Sequence, residues 1–263
     1  MSTLGRRALS LAIALPVIIV ADLVNPWVFA AVILGLYIMG AREIQTIVAE
    51  LGAKPQWLLS ALGAAFLVLG MLNRVSAFLP ATMILLLTAA ALIMVNGETV
   101  GAALGFLLVL WLAWPLGLVL ALRLDGVAIS LSTFALVWVG DIAAYLVGSA
   151  FGRNRLVPRV SPSKTWEGSL AGLAATMAVG ALVAPWFAIS ALAGLALGFA
   201  TGVLAQAGDL FESSLKRHAH LKDSGTFLPG HGGVLDRIDA LLFGVLAIFY
   251  FLQLHLQNRL PGH

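Results

Sequence analysis

Long apolar runs follow one another along most of this sequence, separated by short polar or proline-bearing breaks. About 20 mainly apolar residues allow an α-helix to cross a bilayer, and runs of that length recur here. The chain is 61% hydrophobic and 10% charged and contains no cysteine, whereas a soluble domain is about a quarter charged. So few charges cannot cover a soluble globule of this size. The sequence therefore excludes a soluble enzyme, a disordered chain and a secreted disulfide scaffold, and predicts an all-α, polytopic integral membrane protein.

Nine apolar segments lie between the breaks, and we predict that each forms a transmembrane helix. They are approximately Ala8–Ala21, Pro26–Met39, Gln56–Leu72, Pro80–Val95, Val100–Leu122, Ile129–Ala150, Gly168–Ala184, Trp186–Ala207 and Val234–Leu256. The first two are short and close together, so one bent hairpin is the alternative there. We divide the chain into N-terminal transmembrane helices over residues 1–122 and a C-terminal transmembrane region over residues 123–263, within one membrane-embedded unit.

Glycines recur at four-residue spacing in two places, Gly97/Gly101/Gly105 and Gly194/Gly198/Gly202. Such rows let two helix backbones approach closely. We interpret them as packing positions within one helix bundle, with a homodimer interface as the alternative.

The distribution of Lys and Arg predicts the orientation of the chain. When the connecting segments alternate between the two sides, twelve of the fifteen basic residues share one side, and Arg74, Arg123 and Arg259 fall on the other. Basic residues accumulate on the cytoplasmic side, so we predict a cytoplasmic N-terminus, cytoplasmic polar loops and an outside C-terminus. The net charge of +3 is then a topological signal and not a nucleic-acid-binding surface. Asp22 and Asn25 fall in an outside turn, where we expect them to be solvated.

Two polar loops interrupt the apolar pattern, the first over Gly152–Glu167 and the second over Gln206–Asp239. The second holds five of the twelve acids and three of the five histidines, namely Asp209, Glu212, Asp223, Asp236, Asp239, His218, His220 and His231. A connector between two helices needs only a few residues. This density of charge therefore predicts a chemical role for the second loop.

Three carboxylates near the ends of the flanking spans suggest a metal site. Asp236 and Asp239 are three residues apart and share a face if they are helical, and Asp209 ends the preceding span. Their mutual repulsion at the entrance to the membrane would be costly without a cation. Ligand sets of oxygen atoms suit Mg²⁺, which completes its coordination with substrate phosphates. We predict that Asp209, Asp236 and Asp239 hold Mg²⁺.

Basic residues and glycines between these acids suggest a phosphate-binding site. They are Lys216, Arg217, Lys222, Arg237, Gly232 and Gly233, with His231 in the same glycine-rich turn. Lys and Arg bind phosphate oxygens, and glycines before a helix let backbone N–H groups face an anion. Together with a metal site, these features predict phosphoryl or nucleotidyl transfer. For the basic residues alone, a solvated surface or a patch for anionic lipid is the alternative.

The first loop and one membrane-embedded acid add further candidates. Ser163 or Thr165 is placed to cap the following helix, while Lys164 and the hydroxyl groups are placed to bind a phosphate or a lipid headgroup. Asp141 lies inside an apolar span, with Tyr145 one turn later. An acid within the membrane indicates a functional site, and a salt bridge to a neighbouring helix is the alternative.

The segment Ser213–Asp239 resembles the signature of phosphatidate cytidylyltransferases, also called CDP-diacylglycerol synthases. The family pattern S-x-x-K-R-x4-K-D-x-G-x3-P-G-H-G-G-x-x-D-R-x-D is matched at every fixed position. The motifs Asp141-x-x-Ala-Tyr145-x-x-Gly148 and Ser161-Pro-Ser-Lys-Thr-Trp-Glu-Gly168 also resemble the family. The resemblance covers the C-terminal half closely, whereas residues up to Leu122 match only in hydrophobicity.

This resemblance implies the reaction of CTP with phosphatidic acid to give CDP-diacylglycerol and pyrophosphate, with Mg²⁺ and K⁺ as cofactors. It implies catalytic roles for Asp209, Lys216, Arg217, Lys222, Asp223, His231, Asp236, Arg237 and Asp239. It implies substrate binding by Asp141, Tyr145, Ser161, Ser163, Lys164, Thr165, Ser213, Gly232 and Gly233. A homodimer in the bacterial inner membrane, with a cytoplasm-facing active-site loop, is also expected. The alternatives are a CTP-dependent transferase or kinase acting on a polyprenol or ether lipid, and more remotely a transporter.

Overall fold

We describe the computed structural model of this chain over residues 16–225 and 232–257. Nine α-helices lie within that part of the chain. They are α1 (16–24), α2 (Pro26–Glu50), α3 (Trp57–Met71), α4 (Phe78–Asn96), α5 (Thr99–Asp125), α6 (Val127–Phe151), α7 (Trp166–Val183), α8 (Ala191–His218) and α9 (Leu235–Gln257). Two short 3-10 helices, Val75–Ala77 and Ala184–Phe187, adjoin α4 and α7. The prediction of a mainly α-helical chain is confirmed.

Seven of these helices, α2 and α4 to α9, are long and apolar enough to cross a membrane. Helix α3 is apolar but has only 15 residues. The segment predicted over Ala8–Ala21 lies partly outside the described residues. The chain is therefore a multi-pass membrane protein by the length and composition of its helices, and the count of nine spans stays a prediction.

Local sequence signals explain where several helices begin and end. Pro26 occupies the first turn of α2, and the side chain of Asn25 accepts a hydrogen bond from the Trp27 N–H at 2.8 Å. Such a cap satisfies a backbone donor that the helix leaves unpaired. Helix α4 ends at Gly97, whose φ of 68° is readily adopted by glycine. The polar and glycine breaks in the sequence are therefore true helix boundaries at these positions.

Two helices continue well beyond the predicted ends of their spans. Helix α2 runs to Glu50 instead of Met39, and α8 runs to His218 instead of Ala207. Glu, Lys, Arg and Gln are good helix formers, so polar residues there extend the helix instead of ending it. The prediction of a loop over the whole of Gln206–Asp239 is therefore wrong, because the connection between α8 and α9 covers only residues 219–234.

The first polar loop contains a β-hairpin that the sequence analysis does not predict. Strands β1 (Arg155–Val157) and β2 (Ser161–Thr165) pair antiparallel, with Arg155 opposite Thr165 and Val157 opposite Ser161. Helix α7 follows directly, and the Thr165 side chain accepts a hydrogen bond from the Gly168 N–H at 3.2 Å. Of the two proposed capping residues, Thr165 is the one that caps α7.

The chain forms two compact units. Unit 1 consists of Met1–Val127 and Leu215–Ile238, and unit 2 consists of Ala128–Ser214 and Asp239–His263. Helices α8 and α9 contribute residues to both units. The boundary at Val127 is close to the division that the sequence suggests after residue 122. However, Leu215–Ile238, which carries much of the signature segment, belongs with the N-terminal helices.

Unit 1 is built around α5, much of which is buried. Gly70 of α3 lies against the backbone of Gly117 of α5, and a side chain at Gly70 would overlap it. Beside this contact, the rings of Phe66, Phe78 and Trp114 pack with centroid separations of 5.1 to 5.7 Å. Small residues and interlocking rings therefore hold α3, α4 and α5 together.

Unit 2 packs its helices through glycine contacts. Gly180 of α7 lies against Gly194 and Gly198 of α8, where added side chains would overlap the facing backbone. Gly140 of α6 meets the side chain of Thr176 on α7. This confirms that part of the Gly194/Gly198/Gly202 row serves packing within the chain, whereas the homodimer stays a prediction.

Asp22 is fully buried, so the prediction that it is solvated is wrong. Its carboxylate forms an ion pair with Arg123, whose guanidinium also donates to the Asp22 carbonyl oxygen at 2.6 Å. Arg123 lies 101 residues away on α5, so no local sequence pattern predicts this ion pair. Asn25 is exposed, as predicted.

Loss of this buried pair is expected to destabilise the protein. Asp22→Asn leaves the buried Arg123 without its counter-charge, a change that typically costs about 3–5 kcal/mol. Thermal unfolding of the purified protein in detergent measures the effect as a lower Tm. Lys54→Ala is the control, because the Lys54 side chain paired with Glu98 is 77% exposed and exposed pairs contribute about 0–1 kcal/mol. Equal Tm values for Asp22→Asn and Lys54→Ala would contradict the prediction.

Candidate active site

Part of the signature segment is bonded to helix α2 in unit 1. Glu43 of α2 is buried, and its carboxylate accepts hydrogen bonds from the N–H groups of Val234 at 2.7 Å and Leu235 at 2.9 Å. The Ser224 hydroxyl lies 2.9 Å from the same carboxylate. Because α9 begins at Leu235, Glu43 satisfies backbone donors that the helix leaves unpaired, at the end where negative charge is favoured.

Asp236, in the first turn of α9, joins the same set of hydrogen bonds. Its Oδ1 atom forms an ion pair with Lys216, and its Oδ2 atom accepts from the N–H groups of Gly233 at 2.7 Å and Ser224 at 2.9 Å. The Ser224 hydroxyl is also 3.1 Å from Asp236 Oδ2, so its single proton can be donated to either the Glu43 or the Asp236 carboxylate. We call Glu43, Lys216, Ser224, Gly233 and Asp236 the carboxylate network. It holds the ammonium group of Lys216 in one place.

Two glycines allow the chain to pass close to these carboxylates. Gly232 has a φ of 84°, which glycine adopts readily, and a Cβ there would lie 2.5 Å from an oxygen of Asp236. A Cβ on Gly233 would overlap both Ser224 and Glu43. The Gly233 N–H, proposed from the sequence to face a phosphate, donates to Asp236 in this structure. Phosphate binding by these two glycines stays a prediction.

A second polar group lies in unit 2 and consists of Asp141 on α6, Asp209 on α8, Asp239 on α9 and Lys164 on β2. We call it the acid group. The carboxylate of Asp141 lies close enough to interact electrostatically with Asp239 and Asp209, which repel its negative charge, and with Lys164, which attracts it. Lys164 also forms an ion pair with Asp209. The structure therefore brings Asp141 near two of the three acids that the sequence assigns to the metal.

The β-hairpin explains how Lys164 reaches the acid group. Successive side chains of a strand point to opposite faces. Thr165 is buried and caps α7, which directs the preceding Lys164 to the other side, towards Asp209. Ser213, one turn after Asp209 on α8, has its hydroxyl 3.4 Å from the Asp209 carboxylate. The first loop and α8 thus contribute predicted site residues to the same group.

The other predicted site residues belong to neither the carboxylate network nor the acid group. Tyr145, Ser163, Arg217, Lys222 and Asp223 are exposed, Ser161 lies partly buried on β2, and Arg237 lies in the first turn of α9. Arg217 donates to the Leu221 carbonyl oxygen at 3.1 Å, which fixes the end of α8. His231 lies outside the described residues. The catalytic and binding roles assigned to all of these residues stay predictions.

The predicted metal ligands are divided between the units, with Asp209 and Asp239 in unit 2 and Asp236 in unit 1. Across residues 16–225 and 232–257, no group of three or more acids or histidines is arranged to hold a metal ion. The acid group does offer carboxylate oxygens, which are the ligand type that Mg²⁺ prefers. Three acids and one lysine also leave a negative excess that a divalent cation would neutralise.

Glu43 is the site residue that the sequence analysis misses. It follows the second apolar segment, where the polar pair Arg42-Glu43 is easily read as the end of a span. The buried positions Tyr37, Ile44 and Ile47 nevertheless continue the helical repeat through this region. That repeat is the signal that could have extended α2 and placed Glu43 on its buried face.

Comparison with known proteins assigns the chain to a family. A model of the cytidylyltransferase family matches residues 5–255. Proteins named phosphatidate cytidylyltransferase are similar to part of the chain. The one from Brucella suis biovar 1 is 45% identical over 130 residues, covering 49% of this chain and 48% of that protein. The one from Haemophilus influenzae is 41% identical over 153 residues, covering 52% of this chain and 53% of that protein.

A third relative, the phosphatidate cytidylyltransferase of Synechocystis sp., is 42% identical over 134 residues, covering 49% of this chain and 44% of that protein. In each comparison the chain therefore spans only about half the length of the relative it matches. The family model extends over nearly the whole chain, whereas the close similarity is limited to about half of it.

Proposed function

Because the chain belongs to the cytidylyltransferase family, we propose that it makes CDP-diacylglycerol and pyrophosphate from CTP and phosphatidic acid. The carboxylate network is the observation that carries this proposal. It holds Lys216, Ser224, Gly233 and Asp236, all from the signature segment, in one hydrogen-bonded arrangement. The names of the three relatives support the choice of phosphatidate as the acceptor.

The proposed reaction needs charge neutralisation more than it needs a base. A phosphate oxygen of phosphatidate bonds to the α-phosphorus of CTP. The bond from that phosphorus to the oxygen bridging the α- and β-phosphates breaks, and pyrophosphate leaves with the bonding electrons. The attacking phosphate is already an anion at neutral pH, so no strong base is required. Cationic groups must instead reduce the repulsion between two anions and stabilise the leaving pyrophosphate.

Several basic side chains of this chain are proposed to meet that need. Lys216, held by Asp236, presents a fixed ammonium group, while Arg217, Lys222 and Arg237 supply further positive charge around the phosphates. Asp209 and Asp239 of the acid group are proposed to hold Mg²⁺, with K⁺ as a second cation. Bound Mg²⁺ would supply positive charge to the phosphate oxygens.

Labelled CTP tests the proposed reaction directly. Purified protein with phosphatidate is expected to move ³²P into lipid from [α-³²P]CTP but not from [γ-³²P]CTP. Label from the γ-position would instead indicate a lipid kinase. Phosphatidate, a polyprenol and an ether-linked phosphatidate analogue are the acceptors to compare. Absence of labelled CDP-diacylglycerol with phosphatidate would refute the proposal.

Removal of divalent cations is expected to stop this reaction. Chelation with EDTA should lower the rate of lipid labelling to background, and added Mg²⁺ should restore it, because phosphate charges would otherwise be insufficiently neutralised. The same assay with K⁺ replaced by a large organic cation tests the monovalent ion. An unchanged rate in EDTA would contradict the proposed Mg²⁺ requirement.

We also propose that the polar segments face the cytoplasm of a bacterial cell, where CTP is available. Ser163 is exposed on β2, and Ser163→Cys introduces the only thiol into a chain without cysteine. A membrane-impermeant maleimide is expected to label Ser163→Cys in inverted vesicles but not in intact spheroplasts. Arg74→Cys, in a segment assigned to the opposite side, is the control and should show the reverse pattern. Labelling of Ser163→Cys from the outside alone would overturn this orientation.

A further inference from the structure

Two cavities meet at Arg42 on the surface of unit 1. One has a volume of about 430 Å³ and lies between α2 and α3, with a mainly apolar lining that includes Leu34, Ile38, Trp57 and Ala61. The other has a volume of about 710 Å³ and is bordered by residues of α2 and of the segment after α8. Arg42 lines both cavities. Arg42 therefore lies where the apolar groove adjoins the polar cavity.

The apolar groove follows from the helical repeat of the two helices. On α2, Leu34, Ile38 and Arg42 succeed one another at intervals of four residues and share a face. On α3, Trp57, Ala61 and Ala64 line the same groove at similar intervals. The two alanines leave the space between the helices open, and Leu34, Ile38 and Trp57 are 43%, 45% and 57% exposed. The groove is therefore open along its length and lined by side chains suited to hydrocarbon.

The polar cavity adjoins the carboxylate network. Its lining includes Glu43 and Ser224 of that network, together with Arg42, Lys222 and Asp223. The Glu43 carboxylate is already bonded to backbone donors and Ser224. Arg42 and Lys222 are exposed, and neither side chain forms a hydrogen bond or ion pair with another residue in the described part of the chain. The cationic side chains of Arg42 and Lys222 thus border this cavity, together with the exposed carboxylate of Asp223.

We propose that the groove between α2 and α3 holds an acyl chain of phosphatidate while Arg42 and Lys222 bind its phosphate. An apolar groove leading to two cations complements an anionic lipid, since the groove offers close van der Waals contact to an acyl chain and Arg binds phosphate through paired donors. Lys222 belongs to the signature segment, so this placement brings the lipid phosphate to the carboxylate network. The assignment rests on the proposed function, for which it provides the lipid-binding site.

Photo-crosslinking tests the site without relying on turnover. Full-length protein in detergent micelles is irradiated with phosphatidate that carries a diazirine in one acyl chain, and the labelled peptides are mapped. Label is expected in α2 and α3. Excess phosphatidate should remove it, whereas phosphatidylcholine with the same chains and glycerol 3-phosphate should not. Label confined to other helices, or equal competition by phosphatidylcholine, would overturn the proposal.

Matched arginine variants test the headgroup contact. Arg42→Gln is expected to lower crosslinking and raise KM for phosphatidate about tenfold, with KM for CTP and kcat changed less than about twofold. Arg74→Gln, another exposed arginine of unit 1, is the control and should behave as the wild type. Unchanged crosslinking and KM in Arg42→Gln would contradict the proposal.

Variants of α3 test the acyl-chain contact. Ala61→Trp fills the groove and is expected to lower crosslinking, whereas Val68→Trp, at an exposed position outside both cavities, should not. Ala61→Cys tests a different occupant. Efficient formation of a disulfide-linked dimer, unaffected by phosphatidate, would show that a second copy covers the groove and would overturn the proposal.

These outcomes separate the lipid site from the reaction. Crosslinking in the groove without formation of CDP-diacylglycerol would retain the site and reject the proposed activity. Formation of CDP-diacylglycerol without crosslinking in the groove would retain the activity and reject the site.

Discussion

Asp236→Asn is expected to lower kcat by about 10²–10³-fold while the protein still inserts and folds. The two oxygens of Asp236 pair with Lys216 and accept backbone hydrogen bonds from Gly233 and Ser224. Asparagine has one acceptor oxygen, so its NH₂ group must face either the lysine or the backbone donors. Lys216 then loses the counter-charge that holds its ammonium group in place. Initial rates of CDP-diacylglycerol formation by the purified variant measure the effect.

Asp125→Asn is the matched control for this variant. Asp125 is an exposed acid of unit 1 at the end of α5, outside both polar groups, and its substitution should leave the rate unchanged. Circular dichroism and size-exclusion chromatography should show the same fold for both variants and the wild type. Wild-type activity in Asp236→Asn would refute a catalytic role for this carboxylate.

A titration with Mg²⁺ separates two ways in which Asp236 could act. If Asp236 is a metal ligand, as the sequence predicts, high Mg²⁺ should restore part of the rate in Asp236→Asn. If it positions Lys216, as its contacts favour, the defect should be the same at every Mg²⁺ concentration. Asp209→Asn, in the acid group, provides the comparison, since its defect should decrease as Mg²⁺ rises.

Glu43→Gln is expected to produce the second large effect, a loss of both stability and activity. Glu43 is 8% exposed and accepts hydrogen bonds from two N–H groups at the start of α9, with the Ser224 hydroxyl also within reach. Glutamine replaces one acceptor oxygen with an NH₂ group that must face a donor, leaving buried polar groups unpaired. The expected cost is about 1–3 kcal/mol of stability. Activity should fall as well, because Ser224 and Asp236 would lose their common anchor.

The test of Glu43 compares two acids of one helix. Glu50 is exposed at the end of α2, and Glu50→Gln removes the same charge without disturbing the carboxylate network. Thermal unfolding in detergent should show a lower Tm for Glu43→Gln alone. KM for CTP and kcat should be measured well below that Tm, so that unfolding does not account for lost activity. Equal stability and activity in the two variants would show that Glu43 has no positioning role.

Much of this molecule could be predicted from local sequence. The apolar runs locate most helices because crossing hydrocarbon demands about 20 apolar residues in succession. The cap at Thr165 was predictable because its hydrogen bond joins residues only three positions apart. The ends of α2 and α8 were not predictable from hydropathy, since helix formers with polar side chains extend a helix as readily as apolar ones.

The candidate site was predictable in its residues but not in its connections. The signature segment identified Lys216, Asp236 and their neighbours because their types and spacing are local properties of the chain. The division of Asp209 and Asp236 between two units was not visible, because the spacing of residues along a chain does not show which helices pack together. For the same reason, the ion pair between Asp22 and Arg123 could not be predicted, since these residues lie 101 positions apart in the sequence.

The sequence by itself determined the membrane class, the family and most of the residues that carry charge near the site. The scarcity of charged residues requires an apolar environment, and the signature is a contiguous pattern that needs no folding to be read. Only the tertiary structure decided that Glu43 anchors the signature segment, through contacts with Ser224 and Leu235 that span 181 and 192 residues of chain. The physical reason is that a buried carboxylate is stabilised by whichever donors the folded chain brings to it, and those donors come from long-range packing.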